Sequence, residues 1–224
     1  QKSDAKIEQT IEHQALIEDD GSIVDTVVVH RKHTGILGQT FYGVNNVNYI
    51  RVYVPEGAEL IDAGGFNYPP EDAFEVPEAW YEDDVDLALY EQEIAIHTKT
   101  GTRITSEFGK TAYGNWMMTM PGETSSVYFV YRLPFKLNLN ETLDSDEKIS
   151  DIIKDFTSEE MARYSLSLQK QSGIDSGFST QIIAPDGWVP IWQTNDDMVL
   201  ASNGAEFETV LETDEALGLV LKKK

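Results

Sequence analysis

Cysteine is absent from this chain of 224 residues, which excludes disulfides, zinc–thiolate sites and thiol nucleophiles together. A chain without cysteine suits the cytosol, and equally the surface of a bacterium whose exported proteins do without disulfides. Long apolar runs are also missing: nothing approaches the roughly 18 consecutive residues of a membrane span. Gln1 is not followed by the basic-then-apolar pattern of a signal peptide, so any targeting or anchoring segment is expected to lie outside this sequence. Positive charge is scarce, with 17 Lys and Arg against 39 Asp and Glu and a net charge of −22. A field of that sign repels nucleic acid and anionic lipid, so DNA, RNA and membrane-surface roles are rejected, and no direct membrane insertion by this fragment is expected. The scarcity is sharpest in residues 52–98, which hold no lysine or arginine while thirteen acidic residues fall within 56–93.

What is present is globular. Hydrophobic residues at 41% and charged residues at 25% argue against disorder throughout, and 224 residues suffice for one large β-domain or two smaller ones. The organising pattern is strand, proline turn, strand. In residues 48–54 Ile50, Val52 and Val54 take one face and Tyr49, Arg51 and Tyr53 the other, because successive Cβ atoms alternate in a strand. Pro55 then stops the ladder, Gly57 permits reversal, and Leu60 and Ile61 begin a returning strand. The punctuation recurs at Pro121-Gly122 and at Pro185-Asp186-Gly187.

Along the chain, strands are expected at 6–18 and 23–33 around the turn Asp19-Asp20-Gly21-Ser22, with the β-branched Val27-Val28-Val29 opposing helix. Periodicity fails over 66–92, where prolines and carboxylates predict a long acidic surface excursion with one helical turn near 85–89. Hairpins follow at 94–99 with 102–108 and at 110–120 with 124–133, ended by Pro134. Residues 136–160 change character and read as a linker or short helix. Strands resume at 164–170, 178–184, 188–192, 198–201, 207–211 and 217–221. The expected architecture is all-β, an immunoglobulin-like β-sandwich, singly or as two in tandem. Its divisions are a sandwich domain over 1–135, a linker over 136–160, and a second β-rich unit over 161–224 that completes or extends the first.

Five stretches in order carry a resemblance. They are Asp20-Gly21-Ser22-Ile23-Val24-Asp25-Thr26-Val27, Asn48-Tyr49-Ile50-Arg51-Val52-Tyr53-Val54-Pro55-Glu56-Gly57, Phe108-Gly109-Lys110-Thr111, Tyr131-Arg132-Leu133-Pro134-Phe135, and Tyr164-Ser165-Leu166-Ser167-Leu168-Gln169-Lys170-Gln171-Ser172-Gly173. The chain, over about residues 6–192, resembles the C-terminal region of a family of large uncharacterised bacterial proteins, tethered by one N-terminal transmembrane helix and found in candidate-phylum and Gram-positive-like lineages. The resemblance implies an extracytoplasmic domain at the far end of a membrane-anchored protein. It carries over no catalytic residues, and the asparagine-rich upstream signature of that family is missing from this sequence.

Candidate sites are few. Glu82, Asp83, Asp84 and Asp86 supply enough oxygens for calcium, which takes six to eight such ligands; a solvated acidic loop is the competing reading, because spacing alone does not fix coordination. Asp144, Asp146 and Glu147 begin like a helix-loop-helix calcium site, but Lys148 and Ile149 stand where an oxygen ligand and a glycine belong, and the site is discarded. Trp188 and Trp192, four apart, share a face if the segment stays extended through Pro190, and with Tyr49 and Tyr53 offer rings for stacking on a glycan; core packing is the competing reading. Lys99-Thr100-Gly101 copies a β-lactamase fragment without its partner motifs. Lys6, Lys110 and Asn115 are of the types that form lysine–asparagine crosslinks in surface sandwiches.

Three functional readings result. The favoured one is a non-catalytic extracytoplasmic module that spaces or presents a membrane-anchored protein at a bacterial surface, its partner a protein or a glycan. The second is a glycan- or cell-wall-binding module. The third is a carboxylate-dependent hydrolase with its acids in residues 71–93, which requires two close carboxyl groups in a cleft.

Overall fold

A computed structural model describes residues 2–82, 84–139, 141–142 and 160–224. The expected linker therefore lies largely outside the described residues, as do Asp83 and the discarded Asp144, Asp146 and Glu147. The described chain is all-β, with fifteen strands and one six-residue α-helix. It divides into two compact units, one of residues 1–10 and 28–134, the other of residues 11–27 and 135–224.

The chain opens with a 3-10 turn at Lys2–Lys6 and a long hairpin of β1 (Ile7–Ile17) and β2 (Ser22–His33). From Ile23 onward in β2, and in β1 apart from the half-buried Ile11, the odd-numbered positions are the buried ones, as period-two alternation requires, and Gly21 sits in the turn with φ of +81°. A Cβ on Gly21 would stand 2.3 Å from the carbonyl oxygen of Leu137, so only glycine fits there. The open end of the hairpin belongs to the first unit and its closed end to the second.

In the first unit β3 (Asn46–Pro55) and β4 (Glu59–Gly64) follow, separated by the Pro55–Gly57 turn that the sequence predicts. Then come a 3-10 turn at Glu71–Ala73, α1 (Val85–Tyr90), β5 (Glu91–Ile96), β6 (Arg103–Glu107), β7 (Lys110–Thr119) and β8 (Thr124–Lys136). One sheet has the order β3-β7-β6-β5, all antiparallel, and β8 pairs with β4 in the other. The layers meet through aromatic side chains: Tyr113 of β7 lies 6.3 Å from Phe129 and 5.7 Å from Tyr131 of β8, ring centre to ring centre. The Tyr113 hydroxyl donates to the carbonyl of Ala58 at 2.8 Å, which satisfies its only polar atom inside this core. Pro134 does not end β8, which runs on to Lys136. Pairing with β4 is already over at Arg132, so the missing N–H costs no bond on that side. Glu91 and Gln92, expected in the acidic excursion, belong to β5.

In the second unit β9 (Glu141–Thr142), β10 (Glu160–Leu168), β11 (Ser176–Ile183), β12 (Trp188–Gln193), β13 (Val199–Ala201), β14 (Gly204–Leu211) and β15 (Glu215–Lys223) complete the chain. One sheet has the order β12-β15-β10-β9, and the other sets β13, β14 and β11 beside β1. Leu217, Leu219 and Leu221 of β15 and Phe178, Ile182 and Phe207 of the second sheet are all buried. Fully burying a side chain of this size stabilises by about 1.5–3 kcal/mol. Pro190 is tolerated because β12 is an edge strand, and the pairing with β15 shifts register between Pro190 and Trp192.

Candidate functional site

The richest polar face is the side of the β3-β7-β6-β5 sheet that carries Tyr49, Arg51 and Tyr53. Register places Tyr49 opposite Trp116 and Arg51 opposite Gly114, and on the next strand Arg103 opposite the same Gly114. Tyr49 meets Trp116 edge-on with centroids 4.9 Å apart, and Phe74 of the excursion contacts the same indole at 5.2 Å. Gly114 makes room for this, since a Cβ there would stand 2.5 Å from the Tyr49 hydroxyl.

Two arginines and three glutamates interlock on this face. Arg51 reaches Glu91 at 2.8 Å and Glu107 at 3.3 Å, while Arg103 reaches Glu91 at 3.1 Å and Glu93 at 2.9 Å. Glu107, buried, also accepts from the Tyr53 hydroxyl and from Thr105 Oγ1, each at 2.7 Å. Burial, followed by the bond to Glu107, holds the Tyr53 phenol above its ordinary value. Burial opposes the charge on Arg51, but Tyr53 and the two carboxylates outweigh it and keep the guanidinium firmly protonated. The acids of this cluster are thus held as charge partners of arginine. That arrangement braces a sheet face.

Beside this face the surface is apolar. Leu87, Leu89 and Tyr90 of α1, Ile94 and Ile96 of β5 and Phe108 at the β6–β7 turn are all more than half exposed. Tyr90 and Phe108 stack at 5.5 Å, which ties the end of the helix to the β6–β7 turn. Isolated exposed leucines are ordinary, but six large apolar side chains more than half exposed within residues 87–108 are an uncommon concentration. Sequence reading missed it because these positions show no clean alternation: β5 has no residue that is buried on either face.

The predicted calcium ligands divide. Asp84 caps α1, its Oδ1 accepting from the N–H groups of Asp86 at 2.9 Å and Leu87 at 3.2 Å, while Glu82 and Asp86 are exposed. Among the described residues no three histidine, aspartate or glutamate side chains gather around a metal-sized position. The predicted stacking rings divide too. Trp188 is 5% exposed and lies within the second unit's core, whereas Trp192 is 54% exposed. The register shift between Pro190 and Trp192 breaks the shared face expected for residues four apart, so the two indoles form no platform. Tyr49 and Tyr53 do share a face, but both are drawn into the arginine network. Lys110 and Asn115 lie five apart on β7 and so point to opposite faces; the Asn115 amide donates to Thr100 and Thr102 at 3.0 Å.

A further cluster, in the second unit, joins residues distant in sequence. His13 Nδ1 lies 2.8 Å from Thr180 Oγ1, and all three of His13, Thr180 and Asp25 are buried. Only the inward parity of His13 and Asp25 on neighbouring strands signals it in the sequence.

No protein-family model and no curated protein matches the chain. Among solved structures it is similar to an M1 zinc metallopeptidase from Deinococcus radiodurans, at 9% identity and a TM-score of 0.35, over 97% of this chain and 42% of that one. A two-domain M1 zinc metallopeptidase bound to L-arginine matches with 9% identity and a TM-score of 0.38 over the same shares. A putative nutrient-binding protein from Legionella pneumophila matches with 9% identity and a TM-score of 0.41, over 96% of this chain and 67% of that one. The chain thus spans less than half the length of the peptidase chains it matches. Among the described residues no helix is long and apolar enough to cross a membrane.

Proposed function

We propose that this chain is a non-catalytic interaction module of a membrane-anchored bacterial surface protein, docking a partner on the first unit. The observation that carries this reading is the exposed strip of Leu87, Leu89, Tyr90, Ile94, Ile96 and Phe108. Exposed apolar area of this kind is disfavoured in water unless a partner covers it, and the arginine-paired glutamates of the same sheet brace the strand that carries Ile94 and Ile96. The extracytoplasmic, anchored setting rests on the sequence resemblance, and the cysteine-free, strongly acidic composition accords with it.

Binding of an environment-sensitive apolar dye to the folded protein tests the docking reading. Leu87→Ser with Ile94→Ser is expected to abolish most dye fluorescence while leaving the melting temperature within about 2 °C, as substitutions of exposed side chains do. A protein that binds no dye, and that the double substitution destabilises by the several kcal/mol typical of core positions, would show the strip to be interior packing and end the proposal. Protease treatment of intact cells tests the setting: the module is cleaved from outside if it is extracytoplasmic and protected if it is not.

A further inference from the structure

The order β3-β7-β6-β5 leaves β5 at the end of its sheet, and all of its residues after Glu91 are exposed. An edge strand presents a row of N–H and C=O groups that a further strand can pair with. Here β5 follows α1 without a break in the chain, and Ile94 and Ile96 lie on the edge strand itself. The stretch of chain that leads into β5 carries charge of one sign. Glu71, Asp72, Glu75, Glu78, Glu82, Asp84 and Asp86 precede β5 in a stretch with no lysine or arginine, and the two arginines near Glu91 and Glu93 are already bound to those carboxylates. A second copy of a chain with net charge −22 would bring the same acidic stretch against itself, which like-charge repulsion opposes.

We infer that β5 receives an extended, lysine- or arginine-rich segment of another protein, which adds to the sheet as a further strand. Its backbone pairs with the β5 edge, its apolar side chains cover Ile94, Ile96 and the α1 leucines, and its cationic side chains face the acidic stretch. This inference rests on the docking reading given above and names the occupant's chemistry.

The test uses the whole chain and a synthetic peptide of about eight residues, long enough for one strand, alternating lysine with valine. Two further peptides serve as comparisons, one with glutamate for lysine and one with every backbone nitrogen methylated, so that neither edge can donate. The lysine peptide is expected to bind, to slow hydrogen exchange in residues 91–96, and to weaken at least about tenfold between roughly 50 and 500 mM salt. The glutamate and methylated peptides are expected not to bind, and Ile94→Lys with Ile96→Lys is expected to weaken the lysine peptide at least about tenfold.

Equal binding of lysine and glutamate peptides overturns the cationic partner. Undiminished binding of the methylated peptide, or protection outside residues 91–96, overturns strand addition. A concentration-dependent homodimer that the double lysine variant dissolves makes the occupant a second copy and overturns the inference as well. If no peptide binds but the dye still reports the strip, the inference fails and the docking reading stands; if the dye fails too, both fall.

Discussion

The Nε2 of His13 lies 3.6 Å from the Oδ2 of Asp25, with side chains only 4% and 5% exposed, in the interior of the second unit. The pair is held by its surroundings: Thr180 fixes Nδ1 of the imidazole at 2.8 Å, and Phe178 stacks on the ring at 6.4 Å. A buried carboxyl group of this kind is tolerated when a partner answers it and is costly when the partner is taken away.

His13→Leu is therefore expected to destabilise the protein by about 1–3 kcal/mol, because it removes the imidazole from the buried Thr180 hydroxyl and Asp25 carboxyl group. Adding Asp25→Leu should recover part of that loss, with a coupling of at least about 1 kcal/mol between the two positions. A double-mutant cycle by urea unfolding measures it. Strictly additive effects would show that the two side chains do not act on one another.

Alkaline stability should fall through tyrosine. Burial, and then the nearby Asp25 carboxylate, raises the Tyr164 phenol well above 10.0, and burial raises Tyr113 likewise. Above pH 10 the unfolded chain releases protons that the folded chain keeps. The associated stability is complete below the unfolded value and is lost as pH rises past it toward the folded values. The expected loss is about 1.4 kcal/mol per pH unit for each tyrosine. Unfolding free energies between about pH 9 and 11.5 should show a slope that Tyr164→Phe reduces by one tyrosine's share; an unchanged slope would contradict the assignment.

The two tryptophans of β12 should behave oppositely. Trp188→Ala removes a core side chain and is expected to cost about 3–5 kcal/mol, whereas Trp192→Ala should stay within about 0.5 kcal/mol. Iodide quenching adds an independent reading, since loss of Trp192 should lower the quenchable fraction of fluorescence and Trp188→Phe should not. Equal losses of stability would mean that both rings are packed.

Glycines at equivalent-looking turns should differ in tolerance. A Cβ on Gly204 would meet the carbonyl oxygen of Ile182 at 1.9 Å across the β11–β14 pair, a backbone atom that cannot swing aside. Gly204→Ala is expected to cost more than about 2 kcal/mol. Gly122, with open space around it and φ of +83°, should cost only the conformational penalty of roughly 1–2 kcal/mol. Thermal unfolding of the two variants compares them directly.

Much of the fold was legible because strands announce themselves locally. The β1–β2 hairpin, the Pro55–Gly57 reversal and the β7–β8 hairpin lie within a few residues of where alternation and turn chemistry predict them. The candidate surface was less so. The thirteen carboxylates of residues 56–93 pointed to a cation or a solvated loop, yet Glu91 and Glu93 are strand residues paired with arginines from β3 and β6. Nothing near Glu91 in the sequence signals those partners, and the exposure of Ile94 and Ile96 follows from β5 being last in its sheet, a property of strand order.

By itself the sequence determined the all-β character, the alternation of faces along strands such as β1 and β2, and the sign of the surface charge. Pleat geometry and side-chain ionisation act over one or two residues and need no distant partner. Only the tertiary structure decided that Trp188 is inside and Trp192 outside, that β5 is an edge, and that His13 meets Thr180 across 167 positions. Those outcomes depend on which strands pair and in what register, and a single-residue shift in register sends every side chain to the opposite face.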